Sequence, residues 1–218
     1  MDKIIAFVHA KGNSNRLANK NIKILGDIPL FCHAIKNGIN SKLIDRVVID
    51  SDSDKILEIG KKFGAVPLKR PKSLATNATT GDDLMYWQAS NYPNSKIILQ
   101  LVPTSPFIKS ITIDKAITEV IEKNIDSIIG VHSEAFYEWK NGIPIYYKKD
   151  ENIPNSFEIK KTTYETTGLY ISKSSFVLKE KKRVNHLSCS LYELSKIEAI
   201  DINDFEEFEF AKIVYKGM

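Results

Sequence analysis

Short apolar runs alternate with helix-patterned segments from Lys3 to Val131, and this rhythm restricts the fold more than any other feature. Lys3–His9, Arg46–Asp50, Ala65–Leu68, Ile97–Leu101 and Ser127–Val131 read as short buried strands. Pro29–Ile39, the stretch after Ser53, Gly81–Ser90 and Thr112–Lys123 read as the helices between them. Pro29 suits a first helical position, and Ser53 can cap the helix bearing Ile56, Leu57, Ile59 and Phe63. Alternation at this pace builds βαβ units and a mostly parallel sheet. With 218 residues, 43% of them hydrophobic, the chain can bury one sizeable core, so a single α/β domain over 1–218 is expected.

The rhythm breaks between Ser133 and Thr163. There Phe136, Tyr137, Trp139, Tyr146, Tyr147 and Phe157 surround Asn141-Gly142, a strong hairpin signal. A β-rich excursion is predicted, its exposed aromatics available to a subunit interface. Thr166–Ser172 returns to strand character, Lys196–Asp201 reads as a last strand, and Phe205–Val214 as a closing helix.

Composition narrows the partners. The net charge of +4 comes from scattered Lys and Arg, compatible with a basic pocket for a phosphorylated substrate. No nucleic-acid motif accompanies that charge. Cys32 and Cys189 are far apart without CxxC or paired His spacing, which makes disulfide and zinc readings weak and a reducing cytoplasm the expected compartment. The opening residues are too soon interrupted for a signal peptide, and no apolar run approaches the ~18 residues that span a bilayer.

Chemistry concentrates in the loop from Ala10 to Asn21, AKGNSNRLANKN, which joins the first strand to the first long helix. Ligands in open α/β sheets collect at the carboxyl ends of strands, where this loop lies. Gly12 lets backbone approach a ligand, and Lys11, Arg16 and Lys20 add cationic donors for phosphate. The loop is neither a Walker A nor a GxGxxG motif. By composition alone it suits a phosphate site and an ordinary solvated turn equally.

In spacing, the loop closely resembles the A-R-G-G-S-K-x-x-x-x-K-N signature of the CMP-sialic acid synthetase family of cytidylyltransferases. Here it runs Ala10, Lys11, Gly12, Asn13, Ser14, Asn15, four residues, then Lys20-Asn21. The resemblance puts Lys11 and Lys20 on the triphosphate, with Ala10, Gly12, Asn13, Ser14 and Asn21 holding the nucleotide. Lys11 in place of Arg loses bidentate geometry, and Arg16, in a stretch similar to the S-T-R-L of CMP-Kdo synthetases, can compensate. Ser41–Ile49 resembles the family's second strand, with Asp52-Ser53 for its T-D-S. Lys69-Arg70-Pro71 through Leu74-Ala75-Thr76 is similar to R-P-x-x-L-A-x-D, which makes Arg70, Thr79 and Gly81 base-binding candidates. A surface arginine before a proline-bounded loop is the plain alternative for Arg70.

Leu99–Phe107 resembles L-L-Q-P-T-S-P-L-R, implying acceptor contacts from Gln100, Thr104 and Ser105. Val102 stands at the family's Gln position and Ile108 replaces its Arg, so acceptor recognition has changed. Tyr164–Ile171 is similar to the N-G-A-I-Y-I strand, which nominates Thr167 and Tyr170 for the sugar. Ile200-Asp201-Ile202-Asn203 resembles the D-I-D metal motif, implying Mg2+ on Asp201 and Asn203; Asn203 or Asp204 can also cap the last helix. His9 takes the family's Pro position and reads as a core histidine at the cleft.

Taken over residues 3 to 214, the resemblance implies a Rossmann-like three-layer α/β/α sandwich with a small dimerisation excursion, and a homodimer. It implies transfer of CMP from CTP to an acidic sugar such as a sialic, legionaminic or pseudaminic acid, releasing pyrophosphate. A phosphorylated or phosphonate acceptor is the alternative, and a non-catalytic nucleotide-binding homologue is a third reading.

Overall fold

The computed structural model describes residues 3–13 and 16–218. In chain order its elements begin with β1 (Ile4–His9), a small hairpin of β2 (Ile24–Leu25) and β3 (Ile28–Pro29), α1 (Leu30–Ile39), β4 (Arg46–Ser51), α2 (Asp54–Lys62) and β5 (Val66–Lys69). Next come α3 (Gly81–Asn91), β6 (Ile97–Leu101), α4 (Ser110–Glu122), β7 (Ser127–Ala135) and a second hairpin of β8 (Trp139–Lys140) and β9 (Ile143–Pro144). The chain closes with β10 (Lys161–Lys173), α5 (Ser174–Glu180), β11 (Cys189–Glu193) and α6 (Phe205–Lys216).

Seven strands form the main sheet in the order β11-β7-β10-β6-β1-β4-β5. Neighbours run parallel except β10, which is antiparallel to both β6 and β7. Side chains alternate across a strand, so the two faces draw on different residues. Ala6 and Val8 of β1 pack with Phe31 and Ile35 of α1, Ile56 of α2, and Ile113 and Ile117 of α4. Ile5 and Phe7 join Met85 and Ala89 of α3, Val177 of α5 and Tyr170 of β10 on the other face. Two helical layers over one sheet give the expected three-layer sandwich.

A satellite core of Leu17, Leu25, Leu30, Phe107, Ile202 and Phe208 lies under α6. Asp204 and Glu207 start that helix with a reciprocal capping box, so Asp204 is the cap. Pro29 and Ser53 precede their helices as N-cap residues, and neither side chain makes a capping hydrogen bond.

Two expectations change. Lys196–Asp201 is a run of turns, because Glu198 is buried there and accepts hydrogen bonds from the Lys109 N–H, the Thr112 hydroxyl and the Ser195 hydroxyl. The sheet edge is filled by β11 instead, and α5 is a further helix that the apolar pattern did not reveal. The excursion is β-structured as expected. Glu165 to Lys161 of β10 pairs with Val131 to Ala135 of β7 as a two-stranded ribbon. Asn141 (φ 53°) and Gly142 (φ 75°) make the tight turn between β8 and β9. Trp139, Ile143, Ile153 and Phe157 (94% exposed) lie on its surface. Among the described residues no helix is long and apolar enough to cross a membrane.

Candidate active site

At the carboxyl edge of the parallel strands lies a cavity of about 430 Å³. Lys11, Arg16 and Lys20 all line it, together with Asn13, Asn21 and Thr104. Three cations from one loop thus face one space, the arrangement that polyphosphate binding needs. His9, Asn77, Val102 and Pro103 complete the lining. Ser14 lies outside the described residues.

Local hydrogen bonds aim these side chains. Lys11 Nζ donates to Asn77 Oδ1 at 2.8 Å, tying the loop to the segment after β5. Asn21 donates from Nδ2 to the Lys11 carbonyl. Lys20 is buried and donates to the Ile202 carbonyl at 2.8 Å; burial lowers its pKa, with Asp201 pulling it back up. Two backbone donors expected to face phosphate are already engaged. The Ala10 N–H extends the ladder to the Asp50 carbonyl, and the Gly12 N–H goes to Asp52 Oδ1. Gly12 is required by packing, since a Cβ there would sit 2.9 Å from that of Ser53. These two backbone donors are thus used within the fold, and the cations that line the cavity are side chains.

Arg70 is neither a surface arginine nor a cavity wall. It is 4% exposed, and its Nε donates to Asp50 Oδ1 at 2.7 Å, with Nη2 on the Asp50 carbonyl. Burial pushes the Asp50 carboxyl up, and the guanidinium pulls it back. The other Asp50 oxygen accepts from Gln88, whose amide oxygen accepts from Gln100 Nε2. Gln100 also donates to the Gly81 carbonyl. Gln100 and Tyr170 are paired neighbours in the sheet and point into the α3 face, both essentially inaccessible. Neither is among the residues that line the cavity, and both lie further back along their strands than His9, which shares their face. Thr79, by contrast, meets Thr76 at the loop surface, hydroxyl to hydroxyl.

Beside Thr104, a second cluster surrounds Asp201. Its Oδ2 accepts from Asn203 Nδ2 at 2.7 Å and from the Thr167 hydroxyl at 3.3 Å. Thr167 is held at φ 60°, in the β10 bulge that re-aims its side chain. Asn203 Oδ1 accepts from Arg16 Nη2 at 2.8 Å, so its amide bridges Arg16 and Asp201. Asn203 and Asp201, the expected metal pair, thus stand side by side and hydrogen-bonded to each other. Asp201 Oδ1 is buried without a partner, as are Ser105 Oγ and His9 Nδ1. Ser105 faces Gly168 rather than the cavity; a Cβ on Gly168 would stand 2.6 Å from Ser105 Oγ. Among the described residues no three His, Cys, Asp or Glu side chains form a metal cluster.

Arg183, packed on the buried Gln100 and Tyr170, is the neighbour of the site that the sequence signalled least. His9, a core histidine at the cleft by sequence, lines the cavity, with its imidazole pushed down to about 3 by burial, Arg70 and Arg183. Arg183 follows α5, a helix without an apolar pattern to announce it, and its guanidinium stacks 3.6 Å from the Tyr170 ring centre. Asn77 could be found only through the contact it makes with Lys11.

Comparison with known proteins agrees with this geometry. The family described as cytidylyltransferase matches residues 5–217. A pseudaminic acid cytidylyltransferase from Campylobacter jejuni is 26% identical over 98% of this chain and 97% of its own length. A CMP-N,N'-diacetyllegionaminic acid synthase from Legionella pneumophila is 33% identical over 59% of this chain and 57% of its own. Among solved structures, CMP:2-keto-3-deoxy-manno-octonic acid synthetase complexed with CTP superposes with a TM-score of 0.73 at 10% identity, covering 99% of both chains. That last likeness speaks to the fold, and the family match covers nearly the whole domain. The chain belongs to the cytidylyltransferase family and is a nucleotidyltransferase of the CMP-sialic acid synthetase-like kind.

Proposed function

We propose that the enzyme transfers CMP from CTP to an oxygen of a nonulosonic acid, with release of pyrophosphate. The convergence of Lys11, Arg16 and Lys20 on one cavity carries this reading. An acceptor oxygen attacks the α-phosphorus and the bond to the β-phosphate oxygen breaks, so negative charge grows on pyrophosphate. The three cations stabilise that charge, and the cavity aligns the reactants; no covalent enzyme intermediate is needed. Magnesium is proposed at Asp201, whose orphaned Oδ1 supports an oxygen ligand there. Bound there, it would supply Lewis-acid stabilisation to the phosphates. The proposed compartment is the cytoplasm, in keeping with CTP as the donor.

The experiment is pyrophosphate release with CTP, magnesium and a panel of acidic sugars. Turnover with CTP and at least one nonulosonic acid is expected, and CTP should raise the melting temperature more than ATP, GTP or UTP. Equal shifts for all four would remove the cytosine preference; no release with any acid sugar would remove the acceptor class. A phosphorylated or phosphonate acceptor is the second reading, drawn from Val102, which lines the cavity where the family resemblance puts a glutamine. The same panel, extended to such compounds, separates the two.

The ribbon and hairpin support a dimer built from two copies of this chain. Trp139 and Ile143 of the hairpin and Phe157 beyond it are large apolar side chains left exposed to water. In sedimentation velocity the wild type should run as a dimer, and Trp139→Glu with Ile143→Glu as a monomer. An unchanged sedimentation coefficient would place the interface elsewhere.

A further inference from the structure

Arg16 lines the cavity, yet as a residue it is exposed. A long side chain in that setting samples many rotamers, and each binding event must order it afresh unless something holds it. Asn203 holds it here: Arg16 Nη2 donates to Asn203 Oδ1 at 2.8 Å. Among the described residues no carboxylate forms an ion pair with Arg16. A guanidinium carries five N–H donors, so one bond to an amide oxygen fixes its direction and leaves donors for a phosphate.

Asn203 is itself anchored. Its Nδ2 donates to Asp201 Oδ2 at 2.7 Å, and that oxygen also accepts from the Thr167 hydroxyl. A guanidinium only donates and an ionised carboxylate only accepts, so a group set between them must accept on one side and donate on the other. An amide does both across one plane; a carboxylate at 203 could not donate to Asp201. The backbone between the two residues is fixed as well. The Ile202 N–H donates to the Thr104 carbonyl, and the Ile202 carbonyl accepts from Lys20 Nζ. Residues 201–203 thus hold two of the three loop cations, Lys20 by a carbonyl and Arg16 by a side-chain amide.

We propose that Asn203 is a positioning residue for phosphate binding, its amide anchored on Asp201 and holding the Arg16 guanidinium in the cavity before CTP arrives. The inference rests on the CTP-dependent reading above. The amide stands where the family resemblance puts the second carboxylate of a metal motif, and it exchanges a negative charge there for the fixed placement of a cation.

The test is a double-mutant cycle on Arg16→Met and Asn203→Leu. The Kd of CTP is measured by calorimetry in EDTA, which removes any metal contribution, and kcat for pyrophosphate release is measured with magnesium. Asn203→Leu should fold, because Asp204 caps α6 and Asn203 meets Glu207 through its backbone N–H. Arg16→Met should weaken CTP binding about 10- to 100-fold, the loss expected for a charge-assisted hydrogen bond. Asn203→Leu should weaken it about 3- to 10-fold, the effect of releasing one long side chain. The double variant should match Arg16→Met in both Kd and kcat, since no guanidinium is left to position. Losses that multiply in the double variant overturn the proposal, as does wild type that binds CTP only with magnesium. Unchanged CTP binding in Asn203→Leu, with a raised magnesium requirement for turnover, makes Asn203 a metal ligand and overturns it too. No CTP binding under either condition overturns the donor reading and this proposal with it. If no acid sugar supports wild-type turnover, the acceptor reading falls, and the calorimetric cycle still decides the role of Asn203.

Discussion

Lys20→Ala should give a folded protein whose kcat for pyrophosphate release falls by roughly 10²- to 10³-fold, the loss typical of one preorganised charge-stabilising donor. The ammonium is buried and anchored on the Ile202 carbonyl at 2.8 Å. Its rotamer is therefore set before substrate arrives, and its field acts through poorly screened surroundings. Burial lowers its pKa, so the protein already tolerates a reluctant cation at this point, and a polyanion in the cavity would relieve it. Loss of the carbonyl hydrogen bond should cost only about 1 kcal/mol, so the melting temperature should move by about 2–4 °C. Activity within about tenfold of wild type, a barrier change of about 1.4 kcal/mol, would take Lys20 out of the chemistry.

Arg70→Met should be the most destabilising of the site-adjacent substitutions, by about 3–5 kcal/mol, because it leaves Asp50 as an unpaired buried charge. In a domain of this size that lowers the melting temperature by about 10 °C. Arg70 and Asp50 are 3% and 0% exposed at their side chains, and Gln88 alone cannot neutralise the carboxylate. Asp50→Leu should be similarly harmful, stranding the guanidinium. The double substitution should recover most of the loss, since replacing both members of a buried pair by apolar groups is often neutral. A double-mutant cycle by chemical denaturation measures this; strictly additive losses would show that the two residues act separately.

These two predictions differ because one cation faces the cavity and the other lies under it, a distinction that the sequence did not carry. Strands Ile97–Leu101 and Arg46–Asp50 were legible since both faces of a central parallel strand are apolar and the run is continuous. Cys189–Glu193 was missed because this edge strand has half-buried and exposed positions and no such run. Lys196–Asp201 misled for the opposite reason: Ile197, Ala199 and Ile200 look like a strand, yet Glu198 between them anchors the start of α4. At the site, the loop cations were legible from spacing and resemblance. Gln100 and Tyr170 were assigned to the right strands, and their burial under α3 was not legible there. Arg183 and Asn77 depend on contacts between segments remote in sequence, and local pattern contains no trace of such contacts.

The reversed direction of β10 has a consequence for the newborn chain. Before residues 161–173 leave the ribosome, β1, β4, β5 and β6 can assemble, and β6 then presents a bare row of backbone donors and acceptors. β7 is already available and points the same way as β6, but its place is one strand further out. Only β10 bonds to both, so it works as a keystone that arrives late and locks two part-sheets together. A chain that pauses before Lys161 is thus left with an unguarded edge and a tempting wrong partner, and synthesis through that interval is where this fold is most open to misassembly.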